Sequence, residues 1–243
     1  MASGRASIVD AISLLHQLLA LHPTMERESL CGSAYKRLAM IEGAAGKSAA
    51  EARAIAAMKE HYARAEALGR ETHPSDFFYP ALNRMAAEVV LNAGRGRKTA
   101  LDAAQVTAVR RCLQTKVRDD PDFWGVVGLT ELRLYEALAG GSLAAERASI
   151  EGEYQDLYER VKAAANWASV YDTACFVLPK YGKHASAGER KAADALLAFL
   201  QRLAEPAEHP ESAPSRRPAV GATARAVKRR TAPRSQSSRR GRA

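Results

Sequence analysis

With 243 residues, 47% of them hydrophobic and 6% aromatic, the chain is long enough to bury a real core, and its alanine-dominated composition favours helix over sheet. The net charge of +9 is gathered in one place: residues 212–243 carry ten Lys plus Arg and no acid, which leaves 9 − 10 = −1 for residues 1–211. Residues 1–211 are therefore close to neutral overall, and no apolar run reaches transmembrane length.

In chain order, Ile8, Ile12, Leu15, Leu18 and Leu19 form an apolar stripe at helical spacing that predicts a leading helix over 7–21, ended by His22-Pro23. It is not a secretion signal, because Asp10 and His16 interrupt it, Arg5 is the lone charge before it and no small-residue cleavage site follows. Helices over about 28–43 and 49–69 follow. In the first, Gly32 sits one turn before Tyr35, so that Gly admits a neighbouring helix and Tyr fills the space beside it; Met58, Tyr62 and Ala65 form the complementary face of the second. Gly43 to Ser48 between them superficially resembles a phosphate loop, but Ile41 stands where such a loop needs Gly and no strand precedes it, so a plain turn is expected.

A third helix is predicted from Phe78 to Asn92 and a fourth from Ala100 to about Val117, capped by Thr99 after the basic Gly-rich turn 92–98. Phe123 to Ala139 and Leu143 to Ala165 make the next pair, Trp167 to Tyr181 and Ser186 to Ala204 the last. Pairs therefore start near residues 28, 77, 122 and 166. Their intervals of 49, 45 and 44 residues exceed the tetratricopeptide standard of about 34, which elongated second helices would explain. The expected fold is an all-α, tetratricopeptide-like helical-repeat solenoid of about four helix pairs plus an N-terminal helix. It divides into an N-terminal capping helix (1–24), the repeat domain (25–204) and a disordered basic tail (205–243).

Leu30-Cys31-Gly32-Ser33-Ala34-Tyr35-Lys36-Arg37, then Tyr62 and Ala65, then Tyr79-Pro80-Ala81-Leu82-Asn83, and later Trp167-Ala168-Ser169-Val170 with Asp172, resemble the sensor-type tetratricopeptide repeat region (TPR-S). That region is found in bacterial conflict and stress-response proteins and in the central regulatory, TRAFs-binding part of apoptosis signal-regulating kinases. The resemblance covers residues 25–180. It implies a repeat groove that recognises a nucleotide-derived signal or a partner and controls an effector; no effector domain is recognisable in this chain.

The helical phase of the first pair puts Ser33, Lys36 and Arg37 toward the concave side, where Arg grips phosphate or carboxylate in two-pronged fashion and Lys adds a point charge. Arg84 and Arg133 occupy comparable positions on later first helices and extend a positive strip. Tyr79 and Asn83, one turn apart, read equally as a stacking and hydrogen-bonding pair or as helix-packing residues. Trp167 and Ser169 complete the candidate ligand- or partner-binding set, with inter-repeat packing the alternative for Trp124 and Trp167 and a solvated face the alternative for Lys36 and Arg37.

No catalytic motif is present, so a non-catalytic sensor or scaffold is expected, binding an anionic, nucleotide-derived ligand or an effector protein. A protein-interaction adaptor that takes an acidic peptide is the alternative. A third reading is weak nucleic-acid contact through Arg216, Arg217, Lys228, Arg229, Arg230, Arg239 and Arg240 of the tail, without aromatics for base stacking. Cys31, Cys112 and Cys175 are too far apart for a CxxC pair, and the six histidines show no ligand spacing. No metal, no cofactor and no membrane association are expected, and the thiols suit a reducing cytoplasm.

Overall fold

The computed structural model describes residues 2–93 and 101–205. The basic Gly-rich turn after Ala93 and the tail from residue 206, with all seven of its named Arg and Lys positions, lie outside the described residues. The described residues form nine helices and no strand, a helical repeat array. In order these are α1 (Ala2–Leu21), α2 (Met25–Ala44), α3 (Ser48–Thr72), α4 (Phe78–Asn92), α5 (Ala103–Asp119), α6 (Phe123–Gly140), α7 (Leu143–Arg160), α8 (Ala164–Gly182) and α9 (Ala187–Ala204).

Local chemistry explains most of the boundaries. Thr24, Asp122 and Ser186 cap α2, α6 and α9, each side chain accepting a bond from a first-turn backbone N–H. Gly46 and Gly141 take positive φ, 73° and 66°, where the chain turns back after α2 and α6. Several boundaries differ from the sequence expectation: α1 begins at Ala2 rather than near residue 7, α2 at Met25 rather than near 28, α3 ends at Thr72 rather than near 69 and α8 begins at Ala164 rather than 167, while two others have a visible cause. The cap of α5 is Asp102, whose carboxylate accepts from Ala104 N at 2.8 Å and Gln105 N at 3.1 Å, so the helix begins three residues later. The helix α7 stops at Arg160 rather than running to Ala165, because Val161 turns extended (φ −132°, ψ 103°) and its carbonyl accepts from the Trp167 indole N–H at 2.6 Å.

The glycine notch in α2 is real, but a different ring fills it. A Cβ on Gly32 would stand 2.8 Å from the Tyr62 ring, so Tyr62 of α3 occupies the space that Gly leaves. Tyr35 instead stacks on His61, with ring centroids 5.2 Å apart. One core runs the length of the array, from Ala39, Met58 and Tyr62 through Met85, Leu113, Leu132 and Tyr154 to Trp167, Phe176 and Leu200. Within it α2 packs on α3, α6 on α7 and α8 on α9, while α4 leans chiefly on α3 and α6 and less on its sequence partner α5. Direct contact also joins α4 to α8, so the first helices of the pairs, α2, α4, α6 and α8, come round to share an inner face.

Buried ions tie neighbouring helices. Glu66 of α3, 3% exposed, accepts from Arg70, from Arg84 of α4 and from Gln105 of α5. Such a hub satisfies a carboxylate that would otherwise be costly to bury.

Candidate functional site

The inner faces of α2, α4, α6 and α8, with Tyr62 of α3, enclose a cleft of about 560 Å³, its open mouth included. Each helix contributes residues one turn apart: Ser33 and Lys36 from α2, Tyr79 and Asn83 from α4, Trp124, Val127, Glu131 and Tyr135 from α6, Ser169 and Thr173 from α8. Phe78, Leu82 and Val170 supply apolar wall. Most of the lining is packed, but Tyr79 and Trp124 keep 46% and 43% of their surface in solvent, which leaves two ring faces available to a flat ligand.

The polar end is built around one carboxylate. Asp172 of α8 accepts from Lys36 Nζ at 2.8 Å through Oδ2 and from Arg37 Nη1 through Oδ1, while Thr173 Oγ1 lies 3.5 Å from Lys36 Nζ. Burial by itself would raise the Asp172 pKa, but the two cations outweigh it and hold the group below its ordinary value. Lys36 is buried along most of its side chain whereas Arg37 is half in solvent, so the guanidinium is the accessible half of the pair. Two cations on one carboxylate leave a net charge of about +1 at this end of the cleft. This clasp is also a fastener between helices 136 residues apart in sequence.

Glu131 faces the other way. It lines both the main cleft and a smaller cavity beneath it of about 230 Å³, walled by Tyr154, Val177 and Leu200. Burial pushes its carboxyl up to about 7, with Lys36 pulling weakly in the opposite direction. No hydrogen bond reaches that carboxyl among the described residues. A carboxyl that is uncompensated and half-ionised near neutrality can accept from an N–H bearing ligand or donate to an oxygen. The same proximity of Glu131, added to burial, raises the buried phenols of Tyr135 and Tyr154 well beyond their usual range.

Of the residues expected from sequence, Ser33, Lys36, Tyr79, Asn83 and Ser169 line the cleft and Arg37 meets Lys36 at Asp172. Two of these are already engaged: Ser33 Oγ lies 2.8 Å from Tyr62 OH, and Asn83 Nδ2 donates to Tyr79 O at 3.0 Å. Arg84, Arg133 and Trp167 stand elsewhere. Arg84 is held by Glu66 of α3 and by Glu88 of its own helix, both at 3.2 Å, and Arg133 by Glu146, Glu153 and Ser149 of α7, so the expected strip of positive potential is used up in ion pairs. Trp167 is fully buried, its ring edge-on to Phe123, Tyr154 and Tyr158.

Trp124 and Glu131 were missed as site residues. Their signal was present: on α6 the stripe Trp124, Val127, Glu131, Tyr135 contains one acid among large apolar residues, the mark of a charge facing inward. Histidines with no ligand spacing in sequence also converge in space, for His16 and His61 meet Cys31 on the far side of α2.

Residues 2–91, from α1 to α4, match the family model described as Tetratricopeptide Repeats-Sensor, which supports a sensor-type tetratricopeptide region there. No curated protein and no solved structure matches the chain. Tetratricopeptide repeats serve generally in partner binding, and no described helix is long and apolar enough to cross a membrane.

Proposed function

We propose that the inner cleft binds a nucleotide-like ligand, a flat ring bearing N–H groups and an acidic substituent, and that its occupancy is signalled to an effector protein in a stress or conflict response. The ring would rest against Tyr79 and Trp124, its N–H edge would meet Glu131, and its anionic group would reach Arg37 and then Lys36. The observation that carries this reading is the pairing in one cleft of Glu131, whose carboxyl has no hydrogen-bond partner among the described residues, with a lysine whose counter-ion comes from another helix.

The same geometry supplies a switch. An incoming anion competes with Asp172 for Lys36 and Arg37, so a bound ligand loosens α8 from α2 and favours a second arrangement of the array. In this reading the chain acts by binding: Asp172 holds the two cations at one end of the cleft, and Glu131 offers a carboxyl to a ligand at the other.

The test is a thermal-shift panel of the full chain against nucleotides, ADP-ribose derivatives, cyclic dinucleotides and an acidic peptide. A ligand at 100 times its Kd stabilises the native state by about 2.7 kcal/mol. Stabilisation by a nucleotide that Lys36→Ala/Arg37→Ala abolishes supports the reading. Response to the acidic peptide alone replaces it with an adaptor function. Binding lost only when residues 206–243 are removed places the activity in the tail.

A further inference from the structure

We propose that Cys31, His61 and His16 form a three-ligand site for zinc or a similar divalent transition metal at the junction of α1, α2 and α3. Each offers one ligand atom, and the three atoms lie within 4.8 Å of one another. Cys31 Sγ and His61 Nε2 stand 3.5 Å apart, the separation that two ligands take around tetrahedral zinc, whose bonds of about 2.0–2.3 Å span roughly that distance. His16 is exposed on α1, its ring stacked on His61 with centroids 5.5 Å apart and its Nε2 3.5 Å from Tyr35 OH, and a change of rotamer would bring it to the metal.

The surroundings are those of a ligand set. His61 Nδ1 lies 2.6 Å from Glu28 Oε2, both residues buried, and with the proton on Nδ1 the imidazole donates to the carboxylate and turns the Nε2 lone pair toward Cys31. Arg64 donates to the other Glu28 oxygen at 3.0 Å and thereby fixes the carboxylate. Its Nη2 also approaches Nδ1 at 2.8 Å; the alternative tautomer would put the proton between Nε2 and the thiol, and metal entry selects against it.

Two donors from a packed core and a third from the surface give an entry path and leave a fourth position open to water. Soft thiolate with two imidazoles suits zinc and excludes magnesium and calcium, which take oxygen ligands. Coordination takes Cys31 as the thiolate, so uptake releases a proton and strengthens with pH. Cys31 and His61 directly precede or flank the Gly32, Ser33 and Tyr62 contact that forms one cleft wall. A metal here would pin α1 to the back of that wall, using residues separate from those proposed to hold the nucleotide.

The experiment is titration of the full, reduced chain with Co²⁺ and back-titration with Zn²⁺, followed by absorbance. The expected result is one equivalent of cobalt with a thiolate charge-transfer band and intense four-coordinate ligand-field bands, displaced by zinc. Cys31→Ser removes the band, and Glu28→Gln weakens binding by about tenfold to a hundredfold through loss of the outer-shell bond. His16→Gln changes an exposed residue, leaves folding intact and weakens uptake by at least as much. The proposal is overturned by absence of cobalt uptake at one equivalent, by weak octahedral bands, by a band that survives Cys31→Ser, or by unchanged affinity in His16→Gln.

Discussion

Replacing Glu131 by Gln should stabilise the protein in a way that depends on pH. Glu131 has a folded-state pKa of about 7 against an ordinary value of 4.5, a difference of roughly 2.5 units or about 3 kcal/mol at 1.36 kcal/mol per unit. Because the folded value is the higher one, native protein binds more protons than unfolded chain between these values. The corresponding stability is fully present below about pH 4.5 and is lost as pH rises through about 7. Gln keeps the shape and a hydrogen-bonding end but never ionises, so Glu131→Gln avoids the cost of a buried charge at alkaline pH. Urea unfolding of both proteins at pH 5, 6, 7 and 8.5 should show a gap that is smallest, about 1 kcal/mol, at pH 5 and widens to about 3 kcal/mol at pH 8.5. In a chain of this size that gap is about 6 to 12 °C in Tm. A difference that is constant across the series would refute the reasoning, since it would mean that Glu131 does not titrate in this range. Nucleotide binding lost together with the gain in stability would identify the strained carboxyl as part of the site.

Asp172→Asn leaves Lys36 buried with its charge uncompensated and should cost about 2 to 3 kcal/mol at pH 7, less than a fully buried pair because Asp172 is 23% exposed. Since the Asp172 pKa is depressed, that contribution is present above its ordinary 3.8 and disappears as pH falls through the lower folded value; wild type and variant should therefore converge in acid unfolding curves, and a constant gap would contradict the pairing. Gly32→Ala drives a Cβ to 2.8 Å from the Tyr62 ring and should cost about 1 to 3 kcal/mol by denaturant titration, whereas an unchanged midpoint would mean that α2 and α3 can separate freely. Iodide should quench one of the two tryptophans: Trp124, 43% exposed, is accessible and Trp167, fully buried, is not, so Trp124→Phe abolishes quenching, and a bound nucleotide protects the remaining wild-type signal.

What the sequence determined on its own was what repeats along a helix. Periodicity, caps and glycine positions are local properties of backbone and side chain, and they were enough for nine helices and the turn at Gly46, though not for the partner of α4, which leans on α3 and α6 more than on α5. They also set the phase of α2, which turned Ser33 and Lys36 inward. Even locally, the reading failed where a distant side chain decided the outcome, as when the Trp167 indole took the Val161 carbonyl and ended α7 five residues early.

The use made of each charge was decided by the tertiary structure alone. Lys36, Arg84 and Arg133 all sit on first helices of pairs, yet only Lys36 faces the cleft, because Glu66 and Glu88 claim Arg84 and three residues of α7 claim Arg133. Charges are paid out to whichever opposite charge folding brings near, and separations of 13 to 136 residues leave no periodic trace in the chain. The same holds for Cys31 and His61, 30 residues apart in sequence with their ligand atoms 3.5 Å from each other, which no spacing rule joins. Burial likewise belongs to the folded state: an acid in the stripe of α6 is visible in sequence, but only the surrounding helices remove its water and move its pKa to about 7.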